Sequence, residues 1–158
     1  MEKTNVMRLL TQKKIPFEAF HYESAEALSG VEAAERLGLE PAGVYKTLVT
    51  VGHSGAHYVF VIPAAGELDL KKAAAASGEK SIEMLKSRDL LPLTGYVHGG
   101  CSPIGMKKPF ATWLDASAEK REWIVFSAGK IGFHVRVAPA ELKRILNYRF
   151  ADLCREEP

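Results

Sequence analysis

Four short stretches of this 158-residue chain carry side chains or backbone that could do chemistry. The first is Lys46-Thr47, inside the run Val44-Tyr45-Lys46-Thr47-Leu48-Val49-Thr50-Val51. Alternation predicts a strand with Val44, Lys46, Leu48 and Thr50 on one face and Tyr45, Thr47, Val49 and Val51 on the other. Both faces are mostly apolar, so the strand is expected to be covered on both sides. A lysine there either snorkels its ammonium to water or is held in place for a task. The second stretch is Gly99-Gly100-Cys101-Ser102-Pro103. Adjacent glycines let the backbone turn sharply and present consecutive N–H groups, which can hold a carbonyl oxygen or a developing oxyanion. An ordinary tight turn is the plainer alternative. The third is Ser127-Ala128-Gly129-Lys130, small residues with a lysine. The fourth is Lys107-Lys108, a solvated pair on its own but a candidate phosphate contact beside a backbone anion site.

Other chemistries lack their residues. There is no GxxxxGK[ST] loop, no GxGxxG after a strand, no HExxH, and no serine in a nucleophile elbow. His53 and His57 flank a turn instead of sharing a helix face, and His21, His98 and His134 are scattered, so no metal site is expected. Cys101 beside glycine N–H groups invites a nucleophilic reading, to be tested by blocking the thiol. His98 is near in sequence, but no paired histidine is identifiable, and a loop-packing role is the alternative. The two cysteines, Cys101 and Cys154, and the lack of a signal peptide or membrane-length apolar run point to a cytoplasmic protein with no structural disulfide and no membrane association. Composition is that of an ordinary globular protein, 47% hydrophobic and 25% charged. A net charge of +2 is too small to define a nucleic-acid binder, yet it permits limited contact with a polyanion.

The elements that must position these stretches follow from periodicity and punctuation. Residues 4–14 form a helix stopped by Pro16, and Phe17–Tyr22 a strand. Ser29 and Glu32 make a capping box for a helix that runs to Leu37 and is closed by Gly38. The central strand and His57–Ile62 flank the turn His53–Ala56 as a hairpin. Asp69 caps a helix over Leu68–Ala76, and a second helical stretch is expected over Ser81–Asp89. Leu91–Gly105 is loop-rich, with a short strand at Tyr96–His98. Strands follow at Phe110–Leu114, Trp123–Ser127 and Gly132–Val137, the last two joined by a tight turn at Ala128-Gly129-Lys130. Pro139 opens a final helix carrying Leu142, Ile145, Leu146 and Leu153, with Cys154 on the same pattern, before a solvated tail from Arg155 to Pro158. With no internal repeat and no linker, the expected fold class is α+β, one domain over residues 1–158 on a mixed sheet.

These stretches, in this order, resemble the YbaK family of aminoacyl-tRNA deacylases, related to the editing domain of bacterial prolyl-tRNA synthetases. The likeness rests on Val44-Tyr45-Lys46-Thr47-Leu48, Leu68-Asp69-Leu70-Lys71-Lys72, Gly99 through Lys108, and Ser127-Ala128-Gly129-Lys130, and it spans nearly the whole chain. The nearest branch is that of free-standing Cys-tRNA(Pro) deacylases. The resemblance implies a barrel-like, largely antiparallel sheet with surrounding helices, no metal and no organic cofactor. It implies a trans-acting enzyme, hydrolase or lyase-like, that frees a mischarged amino acid, cysteine above all, from the tRNA 3′ end. Lys46 matches the family's functional lysine, and Gly100, Cys101 and Ser102 the loop that faces the ester. Tyr22, Ser29, Thr47, Gly99, Pro103, Ser127, Gly129 and His134 fall on the substrate pocket, and Lys107, Lys108 and Lys130 on the tRNA side. In the cysteinyl branch the proposed route is substrate-assisted, the substrate's thiol attacking its own carbonyl. At His134 that branch usually carries an acidic residue, and near Ser29 an aromatic one, which bears on amino-acid specificity more than on reaction class. The implied partner is mischarged aminoacyl-tRNA, with prolyl-tRNA synthetase as a helper that lends tRNA affinity. The alternatives are a non-catalytic module gripping tRNA ends or a synthetase, and a deacylase for another small amino acid such as alanine.

Overall fold

The computed structural model describes residues 1–24 and 26–156. Helix α1 (Asn5–Gln12) is capped by Thr4, whose hydroxyl accepts from the Met7 N–H, and buries Val6, Met7 and Leu10. Strand β1 spans Glu18–His21. Helix α2 (Gly30–Leu37) starts in the expected capping box of Ser29 and Glu32 and ends at Gly38, left-handed at φ +70°. A 3-10 turn at Pro41–Gly43 leads into β2 (Tyr45–Gly52), which pairs antiparallel with β3 (His57–Pro63), setting Lys46 opposite Ile62 and Leu48 opposite Phe60. Helix α3 (Leu70–Ser77) takes Asp69 as its cap.

The hairpin is the middle of a five-stranded sheet, order β4-β2-β3-β5-β8, with β4 at Ile82–Met84, β5 at Ala111–Asp115 and β8 at Tyr148–Ala151. β5 runs parallel to β3, and β8 parallel to β5. A three-stranded antiparallel sheet, order β1-β7-β6, uses β6 (Ile124–Ser127) and β7 (Phe133–Val137). One face of the larger sheet, through Tyr45, Val49, Val59, Val61 and Leu114, packs with α1 and with Phe126, Val135 and Val137 of the smaller one. Its other face packs Phe60, Ile62 and Trp113 with Ala73, Leu68 and Leu153. The central strands are therefore covered on both sides, as their sequence requires. Among the described residues, one parallel backbone bridge, Val44 to Val125, links the two sheets. The class is α+β with mixed, largely antiparallel pairing, and no closed cylinder of strands forms among the described residues.

Three local expectations are corrected. Ser81–Asp89 is not a helix: β4 pairs with the free edge of β2, and α4 (Ser87–Thr94) begins only after it. α4 then runs through Leu91–Thr94, with Pro92 inside it, and Tyr96–His98 forms no strand. The last helix is one turn, α5 (Pro139–Leu142), before the chain turns extended as β8. The helical spacing of Leu142, Ile145 and Leu146 loses to Tyr148 and Phe150, whose alternation suits a strand on the exposed edge of β5. Leu153 and Cys154 therefore lie beyond a strand, with Cys154 bridged to Leu68 and not on a helix. In the tail, Arg155 and Glu156 are exposed, and residues 157–158 lie outside the described residues.

Buried Asp115 fastens this end of the chain: one carboxylate oxygen accepts from the Leu153 N–H at 3.0 Å, the other from Ser117 N–H at 3.1 Å. Asp115→Ala removes both bonds and strands a buried N–H. It is expected to cost about 2–4 kcal/mol, read as a lower urea midpoint. A loss below about 0.5 kcal/mol would mean that the contacts are not holding the segment.

Candidate active site

Beyond the Val44–Val125 bridge, β2 and β6 pair no further. The space between them opens into a cleft of about 610 Å³. Lys46 and Thr47 line it from β2, and Ser127 and His134 from the smaller sheet, where the two pair in register. Tyr22, Leu28, Ser29 and Gly30 close a third side at the start of α2, and His98, Gly99 and Cys101 a fourth. Met84, Leu85, Ser87 and Leu90, from β4 and α4, complete the rim. That rim was not foreseen, because its segment has too weak an apolar period to show an edge strand followed by a helix.

The glycines are there to let loops touch. Gly99 is left-handed at φ +86°, and a Cβ on it would sit 2.3 Å from the Ala27 Cβ. A Cβ on Gly100 would meet the Ile131 N at 3.1 Å. Any side chain at these positions pushes the loop off its neighbours. Gly129, at φ +93°, lies under the Tyr96 ring, whose hydroxyl donates to the Ile104 carbonyl.

The loop's backbone is only partly available. The Gly100 N–H is spent on Val97 O at 3.0 Å, so it is withdrawn from the expected set of oxyanion donors. The Cys101 and Ser102 N–H groups take no acceptor among the described residues. The Ser102 hydroxyl is fully buried and accepts from the Ile104 N–H at 3.3 Å, away from the cleft. Pro103 lines a separate small apolar pocket with Val61, Leu114 and Phe126. Cys101 is 9% exposed, and burial pushes its thiol up to about 12, so it is a neutral thiol at pH 7 and lacks the thiolate a nucleophile needs.

Two buried polar atoms of the described residues lack any partner, and both belong to residues of this cleft: Thr47 Oγ1 and His134 Nδ1. Orphaned groups of this kind are uncommon in folded proteins and mark places where something else binds. His134 stands 5.8 Å from the Tyr22 ring, centroid to centroid, and burial pulls its pKa down to about 4, which leaves the imidazole neutral. Half-buried Lys46 makes no ion pair among the described residues, and no carboxylate lines the cleft. The Ser29 hydroxyl serves the α2 cap, and that of Ser127 accepts from the Gly129 N–H at 3.3 Å.

The other expected residues fall outside. Lys130 pairs with Glu2 at 2.7 Å, Lys107 reaches the Pro92 carbonyl at 3.4 Å, and Lys108 is exposed; none lines the cleft. Among the described residues no group of three or more His, Cys, Asp or Glu side chains could hold a metal ion. No described helix is long and apolar enough to cross a membrane.

The fold is shared with known proteins. Residues 25–145 match the model of the aminoacyl-tRNA editing domain. The chain is 46% identical, over 99% of its length and 96% of the relative's, to an Enterococcus faecalis protein provisionally named Cys-tRNA(Pro)/Cys-tRNA(Cys) deacylase EbsC. It is 28% identical to a proline–tRNA ligase of Shouchella clausii, over 83% of this chain and 23% of that enzyme. A crystal structure provisionally assigned as a trans-editing enzyme for prolyl tRNA synthetase superposes with a TM-score of 0.82 at 25% identity, covering 98% of this chain and 100% of that one. The chain belongs to the aminoacyl-tRNA editing domain family.

Burying a neutral His134 makes stability depend on pH. Its folded pKa, about 4, lies below the unfolded 6.5, so between those values only the unfolded state takes the proton. The stability is complete above pH 6.5 and declines by about 1.4 kcal/mol per pH unit as pH falls towards 4. The wild-type advantage over His134→Gln should therefore shrink by about 2–3 kcal/mol between pH 7 and pH 4.5 in urea titrations. An unchanged difference would show that the folded ring protonates as readily as the unfolded one.

Proposed function

We propose that this protein is a trans-acting aminoacyl-tRNA deacylase that frees a mischarged amino acid, cysteine foremost, from the tRNA 3′ end. The observation that carries this reading is the cleft itself: Lys46, without an ion-pair partner among the described residues, lines one space with Thr47 and His134, which bear orphaned side-chain atoms, and with Cys101, whose backbone amide is unengaged. Near full-length identity of 46% to a protein named as such a deacylase supports the substrate class. The whole chain acts as one editing unit, and the two sheets bridged at Val44–Val125 are an incompletely closed barrel.

An aminoacyl ester is already activated, so the protein needs position more than a strong catalyst. Lys46 holds phosphate or ribose oxygen of the terminal nucleotide as a point charge. The Cys101 amide receives the carbonyl oxygen as it gains charge. With a cysteinyl substrate, the substrate sulfur attacks the carbonyl carbon. The C–S bond forms, the ester C–O bond breaks, and the thiol proton ends on the ribose oxygen, leaving a thiolactone and free tRNA. The nucleophile is intramolecular, which fits a cleft whose one cysteine is a buried neutral thiol. An alanyl substrate has no such sulfur, and water takes its place. Exposed Lys107, Lys108 and Lys130 meet tRNA phosphates outside the cleft, and with a net charge of only +2 a prolyl-tRNA synthetase partner supplies further tRNA affinity.

A deacylation panel with cysteine, alanine, serine and proline on matched and mismatched tRNAs tests the reading. Lys46→Ala should lower release on the order of 10²-fold or more while leaving the urea midpoint in place. Unchanged release by that variant would remove Lys46 from the mechanism. Tight tRNA binding with no release across the panel would favour the non-catalytic module.

A further inference from the structure

The charge balance of the cleft constrains what it can hold next to the ester. Its lining contains no carboxylate, and its permanently charged member is a lysine, Lys46. His98 and His134 add nitrogen, never negative charge. Two further residues of the cleft wall, Thr47 next to Lys46 on β2 and His134 on the smaller sheet, carry side-chain atoms, Oγ1 and Nδ1, that are buried and unpartnered. Tyr22 also lines the cleft, its ring centroid 5.8 Å from that of His134 and its hydroxyl neutral, its pKa raised by burial. The carboxylate whose charge reaches Tyr22 is Glu32, but Glu32 is outside the cleft lining, accepts from the Ser29 N–H at 3.3 Å, and is offset there by Arg36.

An α-ammonium brought against this wall would lose water, gain no counter-ion and share the cleft with Lys46. Burying a charge on those terms is costly. An uncharged donor meets no such penalty: an amine, amide N–H or hydroxyl can give its hydrogen to the histidine lone pair or the threonine oxygen. An α-amino group titrates near pH 8, so the unprotonated amine is within reach at neutral pH at the cost of about one pH unit.

Resting on the deacylase reading, we propose that the cleft takes acyl esters whose α-substituent is uncharged, whether unprotonated amine, acylated amine or hydroxyl, with Thr47 and His134 as the groups that hold it. The site then does not use the α-ammonium as a recognition handle. It acts on α-hydroxyacyl and N-acylated aminoacyl esters of tRNA as well as on free aminoacyl ones.

Alanyl-tRNA and the lactyl-tRNA made from it by nitrous acid deamination differ only in NH₃⁺/NH₂ against OH. Cysteinyl-tRNA and its N-acetyl derivative, the thiol protected during acylation and then freed, form a second pair. Wild-type protein should release lactate at least as fast as alanine, and N-acetylcysteine within about threefold of cysteine. His134→Asp puts a carboxylate at this wall and should lower the lactyl-to-alanyl ratio by tenfold or more, while His134→Gln, still neutral, should leave it near the wild-type value. The comparison within the wild-type protein needs no variant to fold. Free aminoacyl esters released more than tenfold faster than both uncharged partners would overturn the inference while leaving the deacylase reading intact. A folded His134→Asp with an unmoved ratio would also overturn it. No release from any of the four substrates would sink both.

Discussion

One backbone contact shapes the site: the parallel bridge between Val44 and Val125, residues 1% and 0% exposed. It joins two sheets that otherwise form their own ladders, and it lasts for one residue pair. Past it the chains part, so Lys46 and Thr47 on one side and Ser127 on the other face a gap instead of each other. A longer ladder would have filled the gap with cross-strand side-chain contacts. Thr47 Oγ1 is left without a partner for this reason, although its strand is fully paired to β3 through the backbone.

The elements around the gap are well packed. The hairpin is covered on both faces: Tyr45 and Val49 of β2 pack into one buried cluster, and Leu48 of β2 with Phe60 and Ile62 of β3 into the other. The glycine loop approaches Ala27 and Ile131 closely enough to exclude any side chain at Gly99 or Gly100, which sets the Cys101 amide at the cleft wall. Thr47 Oγ1 and His134 Nδ1 are left unpaired within this frame, which makes them candidates for contact with a bound group. In the proposed reaction that frame supplies orientation, and the substrate supplies the nucleophile.

Much of this was legible in the sequence. The capping box at Ser29, the Asp69 cap, the hairpin about His53–Ala56 and the turn at Gly129 each depend on local chemistry, which neighbouring residues disclose. The structure brings Lys46, Thr47, Gly99, Cys101, Ser127, His134, Ser29 and Tyr22 around one cleft and leaves Gly100, Ser102, Pro103 and Gly129 outside its lining. What stayed hidden depends on distant partners. β4 is a strand because β2 offers it an edge, and β8 because β5 does. The expected donor at Gly100 was lost to a carbonyl three residues back, a choice made by the turn and invisible in residue type. Likewise, nothing in a lone histidine indicates that it will be 7% exposed and held neutral.

The distribution of positive charge follows the same division of labour. One lysine enters the cleft, where its charge acts over a short distance with little screening. The remaining candidates, Lys107, Lys108 and Lys130, lie on exposed surface, and Lys130 is already paired with Glu2. Solvated charges of that kind contribute little each and are weakened by salt. In the proposed reading, recognition of a whole tRNA through them alone would be weak, and the cleft is the part that meets its acylated end. On that proposal, selection rests on the chemistry at the ester, and the choice of tRNA body falls to contacts made beyond the cleft.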